Sequence, residues 1–403
     1  MSKFSTLFFL SKRFLLSHGS EKFISFISCV SVLGVVLGVF ALIVVTSVIN
    51  GFEAEFSKIV HGLSGHVILY TRGDPIQEPD KILAKVQKLV PELESITGSF
   101  ITELMISGNR AVSGAVIEGI DTSSFGNVTT VPKRIVSGRM PEGDNEVVLA
   151  SVLSQKIGAL VGTEVKLIFP GLEGHGSPKV VSVQVVGIVR MGMFDYDSKY
   201  IFTRLSFLQQ ILDAPTQVTA FKMKLKTLAS SGLVAERLSK SFGYPFRAKD
   251  WSTLNKNFFY AIHLEKVVIS ILLAVIIIVA AFNVASTLMM MIHDKSKEIA
   301  ILKALGFPAS QSFRLFCYIG MGIAFLGGGL GLLLGLGANY ILAKTELIRL
   351  PAQIYSLDFL PVIERWSEIL IILGVALCVV FVATLIPAFH VSRKPPIEAL
   401  RYE

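Results

Sequence analysis

The residues best suited to catalysis or metal binding do not converge. The histidines are His18, His61, His66, His175, His263, His293 and His390. They form no His-Glu-x-x-His site, and the chain has no Cys-x-x-Cys, no Gly-x-Ser-x-Gly and no Gly-x-x-x-x-Gly-Lys-Ser/Thr phosphate loop. His61 and His66 could share a site only through the fold. No constellation supports catalysis, so the chain is not expected to be an enzyme. A different chemistry stands out at His293–Pro308, His-Asp-Lys-Ser-Lys-Glu-Ile-Ala-Ile-Leu-Lys-Ala-Leu-Gly-Phe-Pro. Ile301, Leu302 and Leu305 form an apolar stripe with Ile299 beside it, against Lys295, Lys297 and Lys303. Gly306 is placed to end the helix and Pro308 to stop its continuation. Ser310 then caps the next helix. Such a stretch either lies on lipid head groups or acts as a rigid lever docked into a cytoplasmic ATPase.

The surroundings of this stretch decide how it is held. Hydrophobic residues make up 52% of the 403 positions, and the mean hydropathy is +0.63. Four intervals carry no charge: Phe23 to Phe52, Val267 to Ile292, Leu315 to Ala343 and Ile369 to Phe389. A helix needs about 20 apolar residues to cross the hydrocarbon, so each interval predicts a transmembrane helix. The first is longer than the core of a cleaved signal and lacks a small-residue cleavage site, so it reads as a retained anchor. Lys and Arg concentrate before the first helix (Lys3, Lys12, Arg13, Lys22), in the 293–314 link, and in the tail (Arg393, Lys394, Arg401). Short loops rich in these residues stay in the cytoplasm. Both termini are therefore expected inside, and the 344–368 link and the long segment after the first helix outside. The net charge of +8 is partly this topology signal, not a nucleic-acid footprint. Cys29, Cys317 and Cys378 all fall within predicted membrane helices, so no external disulfide framework is implied.

The external segment has another texture. Alternation predicts strands at His66–Tyr70, Gly114–Ile120, Glu164–Phe169, Val180–Val189 and Ala220–Leu225. Helical spacing predicts Pro79–Val90, Ser151–Gly158, Ser206–Leu212 and Ser230–Phe242. The mixture is α+β. The loop Phe169 to Pro178 joins two strand-like runs and is far longer than a two-residue hairpin turn needs. It reads as a floppy tip or as a protruding hook that engages a partner through Phe169, Pro170, Leu172 and Pro178. The stretch Met191–Asp197 reads as an adaptable apolar surface or as core at a strand end.

Within the membrane, Gly34 and Gly38 on the first helix and Gly327, Gly331 and Gly335 on the third favour close helix approach. Intramembrane charges are absent, which argues against a proton relay. Asn283 is expected to hydrogen-bond to a neighbouring helix, and Pro387 to kink or end the fourth. The fold class is a polytopic α-helical membrane protein with four transmembrane helices and a large α+β extracytoplasmic domain between helices 1 and 2. Its expected segments are 1–22 cytoplasmic, 23–52 helix 1, 53–265 periplasmic domain and 266–292 helix 2. Then come 293–312 as a cytoplasmic coupling helix, 313–343 as helix 3, 344–367 as a periplasmic loop, 368–390 as helix 4 and 391–403 as the cytoplasmic tail.

Asn283 to Met291 followed by Lys295-Ser-Lys-Glu-Ile-Ala-Ile-Leu-Lys-Ala-Leu-Gly306 resembles the permease signature of lipoprotein-releasing systems, the LolC/LolE family. The wider class includes FtsX and macrolide-exporter permeases. Phe14-Leu15, Phe23-Ile24-Ser25, Gly34-Val35-x-x-Gly38, Val48-x-Asn50-Gly51-Phe52 and Gly192-Met193-x-x-Tyr196-Asp197 are also similar to that family. The resemblance implies a multi-pass permease of the bacterial inner membrane. It would extract acylated lipoproteins from the outer leaflet and pass them to a LolA-like periplasmic carrier. It implies a LolD-like cytoplasmic ATPase dimer, a second permease chain, contact with membrane lipids and no nucleic acid. No cofactor is expected in this chain; ATP and Mg would belong to the ATPase. ATPase coupling would rest on Lys297, Glu298, Ile301, Leu302, Leu305 and Gly306, and the carrier contact on the 169–178 hook. The lipid cavity would be lined by Val36, Phe40, Ile43, Val48 and Phe52. The competing expectations are an FtsX-like regulator of cell-wall hydrolases and a macrolide-exporter-like efflux permease.

Overall fold

The computed structural model of the chain describes residues 22–170, 178–345 and 360–393. In chain order the elements are α1 (Lys22–Ser64), β1 (Val67–Thr71), α2 (Pro79–Leu89), β2 (Leu93–Ser107), β3 (Val112–Ile120) and α3 (Phe125–Val128). There follow β4 (Ile135–Gly138), β5 (Glu146–Ala150), α4 (Ser151–Ile157), β6 (Glu164–Phe169), β7 (Lys179–Val189), α5 (Phe194–Asp197), β8 (Tyr200–Arg204) and α6 (Leu205–Ile211). Last come β9 (Ala220–Leu225), α7 (Ser231–Phe242), β10 (Phe246–Asp250), α8 (Trp251–Leu254), α9 (Lys256–Asp294), α10 (Ser296–Ala304), α11 (Ala309–Thr345) and α12 (Trp366–Arg393). Residues Ala54–Tyr260 form one compact unit, and the membrane-length helices another.

In the membrane unit, α1, α9, α11 and α12 are long and apolar enough to span a bilayer. They share a core that includes Val39, Ile43, Ile277, Val284, Ile319 and Val380. Each glycine stripe meets a different neighbour. Gly34 and Gly38 on α1 lie against Ala280 and Ile277 of α9, both at 3.5 Å from the position a Cβ would take. Gly327, Gly331 and Gly335 on α11 receive Val35, Val39 and Ile43 of α1, with a Cβ at those glycines falling 2.7, 2.9 and 3.1 Å from the facing atoms. Small residues on one helix and β-branched ones on the other thus fill the same seam.

Two polar expectations are corrected. The Asn283 side chain is exposed; it is its backbone oxygen, with the Thr287 hydroxyl at 2.6 Å, that pairs with Ser31 on α1. Ser310 is not the cap of α11, which already begins at Ala309 and whose Gln311 and Ser312 N–H groups donate to the Pro308 carbonyl. Pro387 does not end α12, which runs on to Arg393.

The external unit has two layers of different design. β10, β1, β9 and β2 form an antiparallel sheet in that order, carrying α2 and α7. This βαββαβ arrangement is ferredoxin-like, with Val67, Leu69, Val86, Met223, Val234 and Leu238 in its core. Everything from β3 to β8 is inserted between β2 and β9. The 15-residue β2 outruns the first sheet, and its far half pairs with β3 and β6. The pairings β3–β8, β8–β5, β5–β7 and β7–β6 then close a ring of six strands around Ile106, Ile117, Leu149, Leu167 and Val185.

The Met191–Asp197 stretch is core at a strand end. Met191 is buried, and Asp197 accepts from the N–H groups of Met191 (2.7 Å) and Gly192 (3.0 Å). Only Phe194 of its apolar residues is strongly exposed.

One carboxylate gives the external unit a measurable acid sensitivity. Glu146 on β5 accepts a fork from Arg139, at 2.6 and 2.8 Å, plus the N–H groups of Glu142 and Gly143 at 2.9 Å. The Arg139 hydrogen bond, above all, holds its carboxyl at about 2 against an ordinary 4.5. A depressed carboxylate stabilises the fold above the unfolded value and loses that effect as pH falls through the folded one. Arg139→Ala is therefore expected to lower the melting temperature at pH 7 and to converge with wild type near pH 2. Thermal melts across that range check it, and parallel curves would refute it.

Candidate functional site

The membrane unit contains a cavity of about 380 Å³ between α1, α9 and α12. Its walls are aliphatic, including Leu42, Ile269, Ile277, Ile372 and Val375, and one end is lined by Asn50, Lys266 and Glu368. These three belong to a ring of polar contacts. The Lys266 ammonium donates to Asn50 Oδ1 (3.0 Å) and Glu53 Oε2 (2.5 Å). Asn50 Nδ2 donates to Glu368 Oε2 at 2.5 Å. Arg365 completes the circuit, with nitrogens 3.7 Å from Glu53 and 3.4 Å from Glu368. Two cations and two carboxylates alternate with one amide, so the ring is neutral. A second polar group ties the same end together: Asn339 Nδ2 donates to Ser47 Oγ (3.0 Å) and Glu364 Oε1 (3.1 Å).

An apolar slot with a polar lip suits an amphiphile that has at least one aliphatic chain. Burying such a chain is worth about 0.8 kcal/mol per methylene. None of the five residues expected to line a lipid cavity borders this one. Val36 and Ile43 are buried against Gly331 and Gly335 of α11. Phe40, Val48 and Phe52 are half-buried elsewhere on α1. The α1 wall of the cavity is instead Leu42, Thr46, Ile49 and Asn50, about 100° round the helix per residue from the glycine-facing side. Sequence reading missed the ring because its charges stand just outside the uncharged intervals. The usable signal was that Glu53, Lys266 and Glu368 all adjoin the external ends of their spans.

The stretch between α9 and α11 is a discrete helix, α10, and it has two apolar sides. Ile299 and Ala300 turn inward and are buried. Ile301 is 52% and Leu305 81% exposed. Lys297, Glu298 and Gly306 are also exposed, and Leu302 is half-buried. Lys303 Nζ donates to the carbonyls of Val391 (2.7 Å) and Ser392 (3.3 Å) at the end of α12, and desolvation lowers its pKa. Gly306, at φ +94°, closes the helix: its N–H reaches Lys303 O and that of Phe307 reaches Leu302 O, both at 3.0 Å. That is a Schellman end, which holds Leu305 outward beside Ile301.

At the hook, β6 and β7 form the expected antiparallel pair, with Phe169 opposite Lys179. Phe169 itself is corrected from a contact residue to a core one: it is 2% exposed and packed inside the six-stranded ring. Pro170 and Pro178 are exposed, while Leu172 lies outside the described residues. Lys179 fastens the base of the hairpin by donating to Ile211 O at 2.6 Å.

Folding does bring His61 and His66 together, with ring centroids 5.5 Å apart and Trp251 5.9 Å from His61. His66 Nδ1 accepts from the Leu225 N–H. No group of three metal-ligating side chains occurs among the described residues.

Residues 270–396 match the FtsX-like permease C-terminal family, and residues 28–241, over half the chain, match the MacB-like periplasmic core domain family. Over 420 aligned positions the chain is 29% identical to the lipoprotein-releasing system transmembrane protein LolC of Neisseria meningitidis serogroup B, covering 99% of this chain and 100% of that one. It is 28% identical to the LolC of Xylella fastidiosa, over 97% of each chain. It is 24% identical to the LolE of Haemophilus influenzae, over 98% of this chain and 99% of the other.

Proposed function

The chain belongs to the MacB-like periplasmic core domain family, and within it to the LolC/LolE permeases, and on that premise we propose that it is the permease subunit of an ATP-driven complex that releases lipoproteins from the inner membrane. The observation that carries this reading is likeness along the whole length, through helices and external domain alike, to permeases named for lipoprotein release. The two matched families carry the names of FtsX and of MacB, but the relatives matched along the whole length are named for lipoprotein release.

The proposed division of labour follows the chemistry of each part. Both termini and α10 lie in the cytoplasm, and the α+β unit lies in the periplasm. Ile301 and Leu305, with Lys297 and Glu298 beside them, dock into a LolD-like ATPase dimer that holds the ATP and Mg. The apolar slot between α1, α9 and α12 takes an acyl chain leaving the outer leaflet. The hook, through Pro170, Leu172 and Pro178, engages a LolA-like carrier. A second permease chain, identical or homologous, completes the complex. Moving acyl chains out of a bilayer costs about 0.8 kcal/mol per methylene, which explains why a permease without a catalytic motif needs an ATPase partner.

The test is transfer of an acylated lipoprotein from vesicles to soluble carrier by the reconstituted complex with ATP. Exchanging residues 171–177 for a short Gly-Ser turn, with Phe169 kept in the core, is expected to abolish transfer and leave ATP hydrolysis intact. The double variant Ile301→Asp and Leu305→Asp is expected to prevent ATPase recruitment, reducing transfer by at least about tenfold, because two charges replace the apolar contact. A complex that hydrolyses ATP and moves no lipoprotein would falsify the release reading.

A further inference from the structure

We infer that the ring of Asn50, Glu53, Lys266, Arg365 and Glu368 discriminates between lipid head groups, admitting an uncharged glyceryl ester or amide to the slot and refusing a phosphate. The inference rests on the release reading and deepens it, because a slot open to acyl chains in a bilayer meets far more phospholipid than lipoprotein. The aliphatic walls cannot tell those two apart, since both present the same hydrocarbon. Discrimination has to occur at the lip, where the chemistry differs.

The geometry at the lip favours one class. An isolated lysine or arginine would attract phosphate; Lys266 lines the slot, and Arg365 joins it through the ring. Each is, however, already matched. Lys266 is committed to Glu53 at 2.5 Å and to Asn50 at 3.0 Å. Arg365 faces both Glu53 and Glu368. A phosphate entering here meets two carboxylates and must break an ion pair to reach either cation. Like charges at such separations repel strongly when they are partly shielded from water, and Glu53 and Glu368 are only 32% and 31% exposed. An ester or amide carbonyl brings no net charge. An ammonium has three protons, and two of those on Lys266 are taken by Asn50 and Glu53. The third suits a single neutral acceptor without disturbing the ring. Asn50, 1% exposed, keeps both its amide atoms engaged and so fixes Lys266 and Glu368 relative to each other.

The proposal is tested on the full chain in an uncharged maltoside detergent. Two probes with brominated acyl chains are titrated, a diacylglyceryl-cysteine peptide amide with a blocked N-terminus and phosphatidylglycerol. Quenching of Trp366 fluorescence, beside Arg365 at the lip, is read in a Trp251→Phe background. Wild type is expected to bind the neutral probe at least about tenfold more tightly, consistent with partly shielded charge repulsion. Glu53→Gln combined with Glu368→Gln is expected to raise phosphatidylglycerol affinity about tenfold and so to remove the preference for the peptide probe. Because the double variant could misfold, salt supplies a second test in wild type: phosphatidylglycerol binding strengthens with ionic strength as the carboxylates are screened, and peptide binding does not change. Equal affinities in wild type, or a folded double variant without a gain for phosphatidylglycerol, overturn the filter and leave the slot standing. Wild type that quenches with neither probe overturns the slot as a lipid site, and the filter with it.

Discussion

Gly331→Leu is expected to prevent the four-helix unit from assembling, while Gly337→Leu, further along the same helix, leaves it intact. At Gly331 even a Cβ would fall 2.9 Å from the Val36 carbonyl oxygen and from Val39 Cβ. One of those atoms is backbone, so no rotamer change makes room. At Gly337 nothing lies within 4 Å. Overpacking a well-fitted site costs roughly 1–3 kcal/mol where neighbours can yield. Between two membrane helices the cost is larger in consequence, because close van der Waals packing is itself what holds them together. Gly331→Ala is expected to lose about 1–3 kcal/mol by the same argument, with Gly337→Ala within about 0.5 kcal/mol of wild type. Reversible unfolding in mixed micelles measures all four variants. Equal stability of the two alanine variants would show that α1 and α11 are not in close contact.

This seam also shows where sequence reading stops. The glycine spacing on α11 and on α1 is visible in the one-dimensional pattern, and so are the four spans themselves. What the pattern does not contain is the pairing. Nothing in the first helix says that Val35, Val39 and Ile43 face α11 while Gly34 and Gly38 face α9. Choosing Val36 and Ile43 as cavity residues treated an all-round apolar helix as if its open side could be read from residue type. The cavity lies between α1, α9 and α12, whose lining residues come from positions 42–50, 266–278 and 368–379, and local periodicity carries no information about that. Helix α10 was legible for the opposite reason. Its charges, Gly306 and Pro308 contrast with uncharged runs on both sides, and helix ends are local. Even there the spacing sets Ile299 beside the Ile301–Leu305 stripe without showing that it turns inward, because a short helix packed on one side and open on the other has two apolar edges.

In the external unit the strands found from alternation, such as β6 and β7, bury one face. Those that escaped have other patterns. β5, Glu146–Ala150, is buried on both faces after its first residue. β10, Phe246–Asp250, carries three charges in five residues. β2 crosses from one layer to the other, so its exposed face changes part-way and Gly98 interrupts the alternation. The antiparallel ends of the 169–178 hairpin were evident, but Phe169 was read as part of the loop. Its place as the last inward residue of β6 depends on a barrel that only the pairing of β6 with β2 reveals.

Lys222→Met is the second change with a large expected effect. Lys222 on β9 belongs to the ferredoxin-like layer and Glu118 on β3 to the six-stranded ring, yet their charged groups meet at 2.5 Å with 7% and 1% of each side chain exposed. The surroundings are aromatic: Phe125 lies 5.5 Å from the Lys222 nitrogen, and Tyr196 and Tyr200 stack at 4.9 Å. Burial, and then the Glu118 charge, push the Tyr200 hydroxyl far above its ordinary range, so that tyrosine stays neutral and cannot replace the lysine as a countercharge. Removing the ammonium strands a buried carboxylate, which costs about 3–5 kcal/mol. Removing both charges together, as Glu118→Leu with Lys222→Met, is expected to recover most of that loss, since a buried pair is close to neutral against apolar replacements of similar volume. Hydrogen exchange at the β3 and β9 amides of the full chain distinguishes the cases. Protection that falls in the single variant and returns in the double one identifies charge compensation as what the pair supplies. If the double variant is as weakly protected as the single one, the contribution lies instead in the shape of the lysine stem, which packs across the boundary between the two layers, and the electrostatic account fails.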